Sequence, residues 1–221
     1  LNLLLHAIPV SVFTNILDSS REIASIFLAG YNGIRTCSYL RNRSFFMNND
    51  IPNSAIPADD VKRSLAHARP SDEASLKHIS LAGDTYTILL SSTETAGRYC
   101  LIDMLIPPGG GPPPHRHDFE EMFSLVEGEL EFTFRGEKLT VRAGETVNIP
   151  ANAPHAFTNA SSKSARLLCM CTPAGQEEFF LEVGDLVPSQ SSPPVKLDEE
   201  AMAKRGQKAK ELAPQYKTEM L

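Results

Sequence analysis

The sequence has no long apolar run, no basic stretch, no cysteine framework and no internal repeat, and each absence removes a class of protein. Its most apolar segment, Leu1 to Phe13, is broken by His6 and Pro9 and falls short of the roughly 20 residues that a bilayer-spanning helix needs. It begins without methionine and has no basic flank, so no membrane span is expected; a cleaved secretory signal is the alternative there. Lys and Arg number 21 against 27 Asp and Glu, a formal net charge of -6. No basic stretch could neutralise a phosphate backbone, which argues against a nucleic-acid partner. The four cysteines, Cys37, Cys100, Cys169 and Cys171, lack disulfide spacing and read as reduced thiols of a cytoplasmic protein. Cys169 and Cys171 would share a strand face, but they lie in the apolar run Leu167 to Cys171 and read as core, not as a soft metal site. Without a repeat, one copy of the central domain is expected.

What is present is ordinary globular material: 221 residues, 42% hydrophobic and 22% charged, enough for one buried core with appendages. Residues 1–58 form an N-terminal extension and linker, 59–184 a β-domain, and 185–221 a linker and C-terminal helix. In the extension, Ser19 and Glu22 fit a capping box, and Ile23, Ile26 and Phe27 give a helix over Ser19 to Gly30 one apolar face. Composition shifts at Met47 toward a polar stretch ending at Pro57, a linker or, alternatively, a true start at Met47. Asp59 to Ala68 reads as a short amphipathic segment with Val61 and Leu65 on one side, and His67 and His78 as surface histidines. Strands follow over Thr85 to Ser92 and Arg98 to Ile106, joined by a turn at Thr95-Ala96-Gly97. Later strands cover Met122 to Glu127 and Glu129 to Arg135, where Leu130, Phe132 and Phe134 alternate with Glu131 and Thr133. Leu139, Val141, Val147 and Ile149 continue that alternation through turns at Gly136 and Gly144. A short helix over Gly175 to Gly184 should pack Phe179 and Val183, and Leu197 to Leu212 reads as a helix capped by Asp198.

The chemistry concentrates between Gly109 and Asn159. Residues two apart on a strand share a face, so His115 and His117 can reach one ion. Glu121 has the same parity but would lie roughly 13 Å from His117 on a straight strand, too far for ligand bonds of about 2 Å. The chain must therefore bend near Asp118 to Glu120 and return Glu121 over the histidines, with His155 arriving from a later strand. Three imidazoles and one carboxylate suit one divalent transition metal, Fe, Mn, Ni, Co, Cu or Zn, and not calcium, which wants more oxygens. The Gly- and Pro-rich stretch Pro107 to Pro114 excludes helix and central strand and would deliver His115 at a fixed angle.

These residues resemble the cupin family. Gly109, His115, His117, Glu121 and Gly128 meet its first motif, G-x5-H-x-H-x3-E-x6-G; Gly144, Pro150, His155 and Asn159 meet its second, G-x5-P-x-G-x2-H-x3-N. The one departure is Asn152 in place of glycine, a residue that tolerates a left-handed conformation. The resemblance covers Ile79 to Pro173 and implies a mainly β fold, a double-stranded β-helix or jelly-roll barrel, here with short flanking helices. It implies His115, His117, Glu121 and His155 as metal ligands. The closing Ala213-Pro214-x-Tyr216 resembles the tail of quercetin-dioxygenase-like bacterial cupins.

Strand parity predicts an interior lined by Met104, Phe123, Leu125, Phe132, Phe134 and Phe157, favouring a small aromatic or apolar substrate; the alternative is a barrel filled by its own side chains. No interior Arg or Lys is evident apart from the ambiguous Arg98 and Arg166, which disfavours phosphosugars and carboxylates. Three functions are compatible with this. One, implied by the resemblance to quercetin-dioxygenase-like cupins, is a dioxygenase of an enolic or phenolic substrate in which Glu121 doubles as the catalytic base that accepts a proton. The others are a metal-dependent isomerase, hydrolase or lyase, and a non-enzymatic small-molecule sensor. The resemblance also implies a homodimer.

Overall fold

The computed structural model describes residue 57, residues 59–68 and residues 74–221. The helix read over Ser19 to Gly30 and the polar stretch from Met47 to Asp50 lie outside the described residues. Alternation of apolar and polar residues builds twelve strands among those described. They are β1 (Lys77–Leu81), β2 (Asp84–Leu90), β3 (Cys100–Ile106), β4 (His115–His117), β5 (Glu120–Glu127), β6 (Glu129–Phe134), β7 (Glu137–Arg142), β8 (Thr146–Ile149), β9 (His155–Thr158), β10 (Ala165–Thr172), β11 (Asp185–Val187) and β12 (Thr218–Met220). All pairings are antiparallel, in a seven-stranded sheet of order β11-β1-β2-β3-β10-β5-β8 and a five-stranded sheet of order β12-β4-β9-β6-β7. The two sheets stay separate, so the jelly roll takes the form of a sandwich.

Every second residue of β5 and β10 is buried: Glu121, Phe123 and Leu125 on one, Ala165, Leu167, Cys169 and Cys171 on the other. Phe123 of the larger sheet meets Phe132 and Phe157 of the smaller at ring-centroid distances of 5.4 Å each, and those two lie 5.2 Å apart. This aromatic cluster bridges the sheets. Tight turns supply the reversals: Arg135 and Gly136 both have positive φ, the pattern that matches the twist of a two-residue hairpin.

Among the described residues, three helices flank the sandwich. A single turn, α1 (Ser92–Thr95), replaces the end of the strand expected to reach Ser92, because Ser91 and Glu94 close a capping box there. In α2 (Gln176–Val183), Phe179, Phe180 and Val183 are buried, and Glu177 ties it to α1 by accepting from the Ser92 amide at 2.6 Å. The third, α3 (Glu199–Leu212), is capped by the Asp198 side chain, which accepts from the Ala201 amide. A 3-10 turn over Ala213–Tyr216 then leads into β12, which pairs with β4 in register Thr218 with His117 and Met220 with His115. No helix among the described residues is long and apolar enough to cross a membrane.

Two local expectations fail. Residues 59–68 form turn and coil, leaving Val61 and Leu65 86% and 94% exposed, so no amphipathic face is used. His78 is buried, not at the surface: three consecutive residues of β1 are covered, the strand lying between β2 and β11, and Ser80, on the same face as His78, accepts from the Val195 amide of the segment leading to α3. His78 Nδ1 lies 2.8 Å from Thr87 Oγ1. His67 is exposed as read.

Candidate metal centre

The chain leaves the smaller sheet after His117 and enters the larger one at Glu120, so the bend at Asp118-Phe119 carries Glu121 back over the histidines. His115 is the register partner of His155 on β9. One ligand atom from each of His115, His117, Glu121 and His155 can be chosen so that all four lie within 4.8 Å of one another, and all four residues are buried. Motif residues outside this group build its frame. Asn159 donates from Nδ2 to the Ile106 and Lys163 carbonyls, and its backbone exchanges hydrogen bonds with Gly109 and Gly110. Asn152 sits at φ 67 and donates its amide to the His117 carbonyl at 2.7 Å, so the departure from glycine falls on a left-handed residue that asparagine accommodates. At Gly111, with φ 126, an added Cβ would fall 2.1 Å from the Phe157 carbonyl oxygen; the loop before His115 depends on that close approach.

The imidazoles share one protonation pattern. Nδ1 of His115, His117 and His155 lies 2.9, 3.0 and 2.9 Å from the carbonyls of Pro113, Phe119 and Ala153. A carbonyl only accepts, so each Nδ1 donates, and in the neutral ring each Nε2 carries the lone pair. Yet Nε2 of His117 and of His155 stands 2.9 and 3.2 Å from Glu121 Oε2. Lone pair against carboxylate is repulsive; a proton or a metal cation must stand between them. Burial pushes the Glu121 carboxyl up, but its contacts with His117 and His155, with the charge of His117 and His115, outweigh burial and hold it well below the usual range. Burial, then the neighbouring His155, pushes His115 down to about 4, which favours its neutral, ligating form. The set could therefore hold a metal ion.

Behind Glu121 stand sulfurs. Its Oε1 lies 3.2 Å from Cys169 Sγ and 3.6 Å from Cys171 Sγ. Burial above all, with the Glu121 charge adding to it, pushes the Cys169 thiol up to about 12, so it stays protonated. These cysteines are core residues as read, and they also touch the site.

A cavity of about 590 Å³ opens over His115 and Glu121. Met104, Phe123 and Phe157 line it, with Tyr86, Phe179 and Phe180. Leu125 and Phe132 do not: they are buried deeper in the sandwich, and half-buried Phe134 lies under the Arg135 guanidinium at 4.8 Å. Sequence reasoning missed Asp84, which also lines the cavity, 1% exposed and accepting from the Tyr86 hydroxyl at 3.2 Å. It also missed two cations on the wall, Arg205 and Lys210, brought in by α3. Arg166 instead forks onto buried Asp103 away from the cavity.

Residues 102–171 match the cupin domain family (Cupin_2). The chain is 32% identical over 110 residues to the polyketide synthase CurC of Streptomyces cyaneus, covering 49% of this chain and 71% of that one. It is 25% identical over 107 residues to the quercetin 2,3-dioxygenase of Bacillus subtilis (strain 168), covering 48% of this chain but only 32% of the enzyme's length. A solved structure of the polyketide cyclase RemF from Streptomyces resistomycificus is similar at 22% identity, covering 59% of this chain and 87% of that one with a TM-score of 0.42. With the two histidine-bearing motifs brought together between facing sheets, and a relative matched over most of its own length, the chain belongs to the cupin family.

Proposed function

We propose that the protein is a metal-dependent oxygenase of a small aromatic or enolic molecule. The observation that carries this reading is the gathering of three imidazoles and the Glu121 carboxylate, with ligand atoms within 4.8 Å of one another, beneath a cavity walled by aromatic side chains and Met104. His115, His117, Glu121 and His155 would hold one divalent transition metal, which supplies Lewis acidity and, if redox-active, electrons for dioxygen. His115 and Glu121 are the members of the set that also line the cavity, so a substrate oxygen would meet the site there. Glu121, held ionised by its imidazole neighbours, is the proton acceptor. The aromatic wall excludes water and stacks on a flat ligand. The relatives named for quercetin and for polyketides are consistent with such a substrate.

Elemental analysis of the purified protein followed by oxygen-electrode assays with a flavonol and a 1,3-diketone tests this. Uptake is expected with at least one of them and should vanish in His115→Ala. A second reading, a Lewis-acid isomerase, hydrolase or lyase, is favoured by Asp84, a second proton-handling group on the same wall. Turnover that persists without oxygen and with zinc would select it; a bound ligand recovered unchanged would select a sensor. Pairing into a homodimer belongs to the same proposal, and gel filtration giving only monomer at every concentration would reject it.

A further inference from the structure

The two oxygens of Glu121 have different neighbours. Oε2 faces Nε2 of His117 and His155, while Oε1 faces Cys169 Sγ at 3.2 Å and Cys171 Sγ at 3.6 Å, the sulfurs being 3.7 Å apart. Strand register produces this: Cys171 lies directly opposite Glu121 across β5 and β10, and Cys169 opposite Phe123, so both thiols point to the face that Glu121 uses. Glu121, Cys169 and Cys171 are all buried, and Cys169 and Cys171 are fully sealed from solvent. As packing alone, valine would serve as well as cysteine here. An apolar side chain at 169 would take the nearer donor away from the buried Oε1, a cost avoided by an S–H.

We propose that Cys169 is a positioning residue, its thiol donating to Glu121 Oε1 with Cys171 in support, so that Oε2 is the oxygen turned toward His117 and His155. This rests on the metal reading of the site above. A carboxylate anchored at one oxygen presents the other to a cation at a fixed angle. Without the anchor it can rotate, and its rotational freedom must be given up each time an ion binds.

The test is Zn2+ affinity of the full chain, by competition with a chromogenic chelator, with melting curves of the metal-free proteins as a fold control. Cys169→Val, which keeps the volume and removes the donor, should bind zinc roughly 10- to 100-fold more weakly, the range typical for loss of a ligand's supporting hydrogen bond. Cys169→Ser, which keeps a donor, should recover most of that affinity, and Cys171→Ala should lose less than Cys169→Val. If Cys169→Val does not fold, the comparison of Cys169→Ser with Cys171→Ala carries the test, and a larger loss in the serine variant overturns the proposal. Equal zinc affinity in Cys169→Val and wild type also overturns it. So does a sulfur-to-metal charge-transfer band in Co2+-loaded wild type that disappears in Cys169→Ser, which would make the sulfur a ligand. A wild-type protein that binds no zinc, cobalt or iron removes the metal site itself, an outcome distinct from the others.

Discussion

Replacing Asp84 by asparagine should make the protein more stable at alkaline pH and leave it little changed in mild acid. Asp84 is 1% exposed, its Oδ2 accepts from the Tyr86 hydroxyl, and its Oδ1 has no hydrogen-bond partner. Burial pushes its pKa from 3.8 up to about 7, against the opposing pull of the Tyr86 hydroxyl and the Gly111 amide. At 1.36 kcal/mol per pH unit, that difference corresponds to about 4 kcal/mol of stability that depends on the proton. The unfolded chain ionises near 3.8 and the folded chain near 7, so between them the folded state binds more protons. The contribution is therefore fully present below the lower value and lost as pH rises through the upper one. Asparagine keeps an acceptor for Tyr86 and cannot ionise. Urea unfolding of both proteins in chelator from pH 4 to 8 should give a stability difference near zero at the acid end and about 2–4 kcal/mol in favour of asparagine at the other. Subtracting the two curves cancels the groups that the two proteins share. A difference that stays constant across this range refutes the argument.

Removing Arg166 as Arg166→Ala leaves Asp103, fully buried, without its guanidinium fork, and unfolding titrations should show a loss of about 3–5 kcal/mol. Gly111→Ala forces a Cβ toward the Phe157 carbonyl oxygen at a φ that L-residues avoid, so thermal stability and zinc affinity should fall together; unchanged affinity would mean the loop does not aim His115. Zinc at 100 times its dissociation constant should add about 2.7 kcal/mol to unfolding, reversibly on chelation, and no shift in the melting curve would count against the metal site.

The strands of the sandwich were legible because period-two alternation survives in residues such as Leu130 and Phe132 or Leu167 and Cys169, whose faces differ in solvent access. The bend that returns Glu121 to the histidines was legible from length alone, since an extended chain could not meet one ion otherwise. Other features depend on tertiary contact and leave no local mark. His78 looks like any polar strand residue until Thr87 of the paired strand meets it on a buried face. Arg205 and Lys210 sit on a helix whose charges read as dipole complements, and only its return over the cavity makes them lining residues. Asp84 stands at the start of β2, where an acidic residue ordinarily marks a turn; nothing in the sequence reports that Tyr86 and the glycine loop enclose it. Cys169 and Cys171 were legible as buried thiols, but their contact with Glu121 follows from the register of β5 and β10, which the sequence does not specify.

β4, which carries two of the four site residues, is held on one side by a single register pair with β9 and on the other by the three residues of β12. The Asp118 amide reaching the Lys217 carbonyl and the Leu221 amide reaching the Pro114 carbonyl close that seam at both ends. Residues 218–220 are thus a latch: breaking their pairing with β4 would unfasten the ribbon that carries His115 and His117 while leaving the aromatic interior whole, and any ability of the site to hold an ion would go well before the fold.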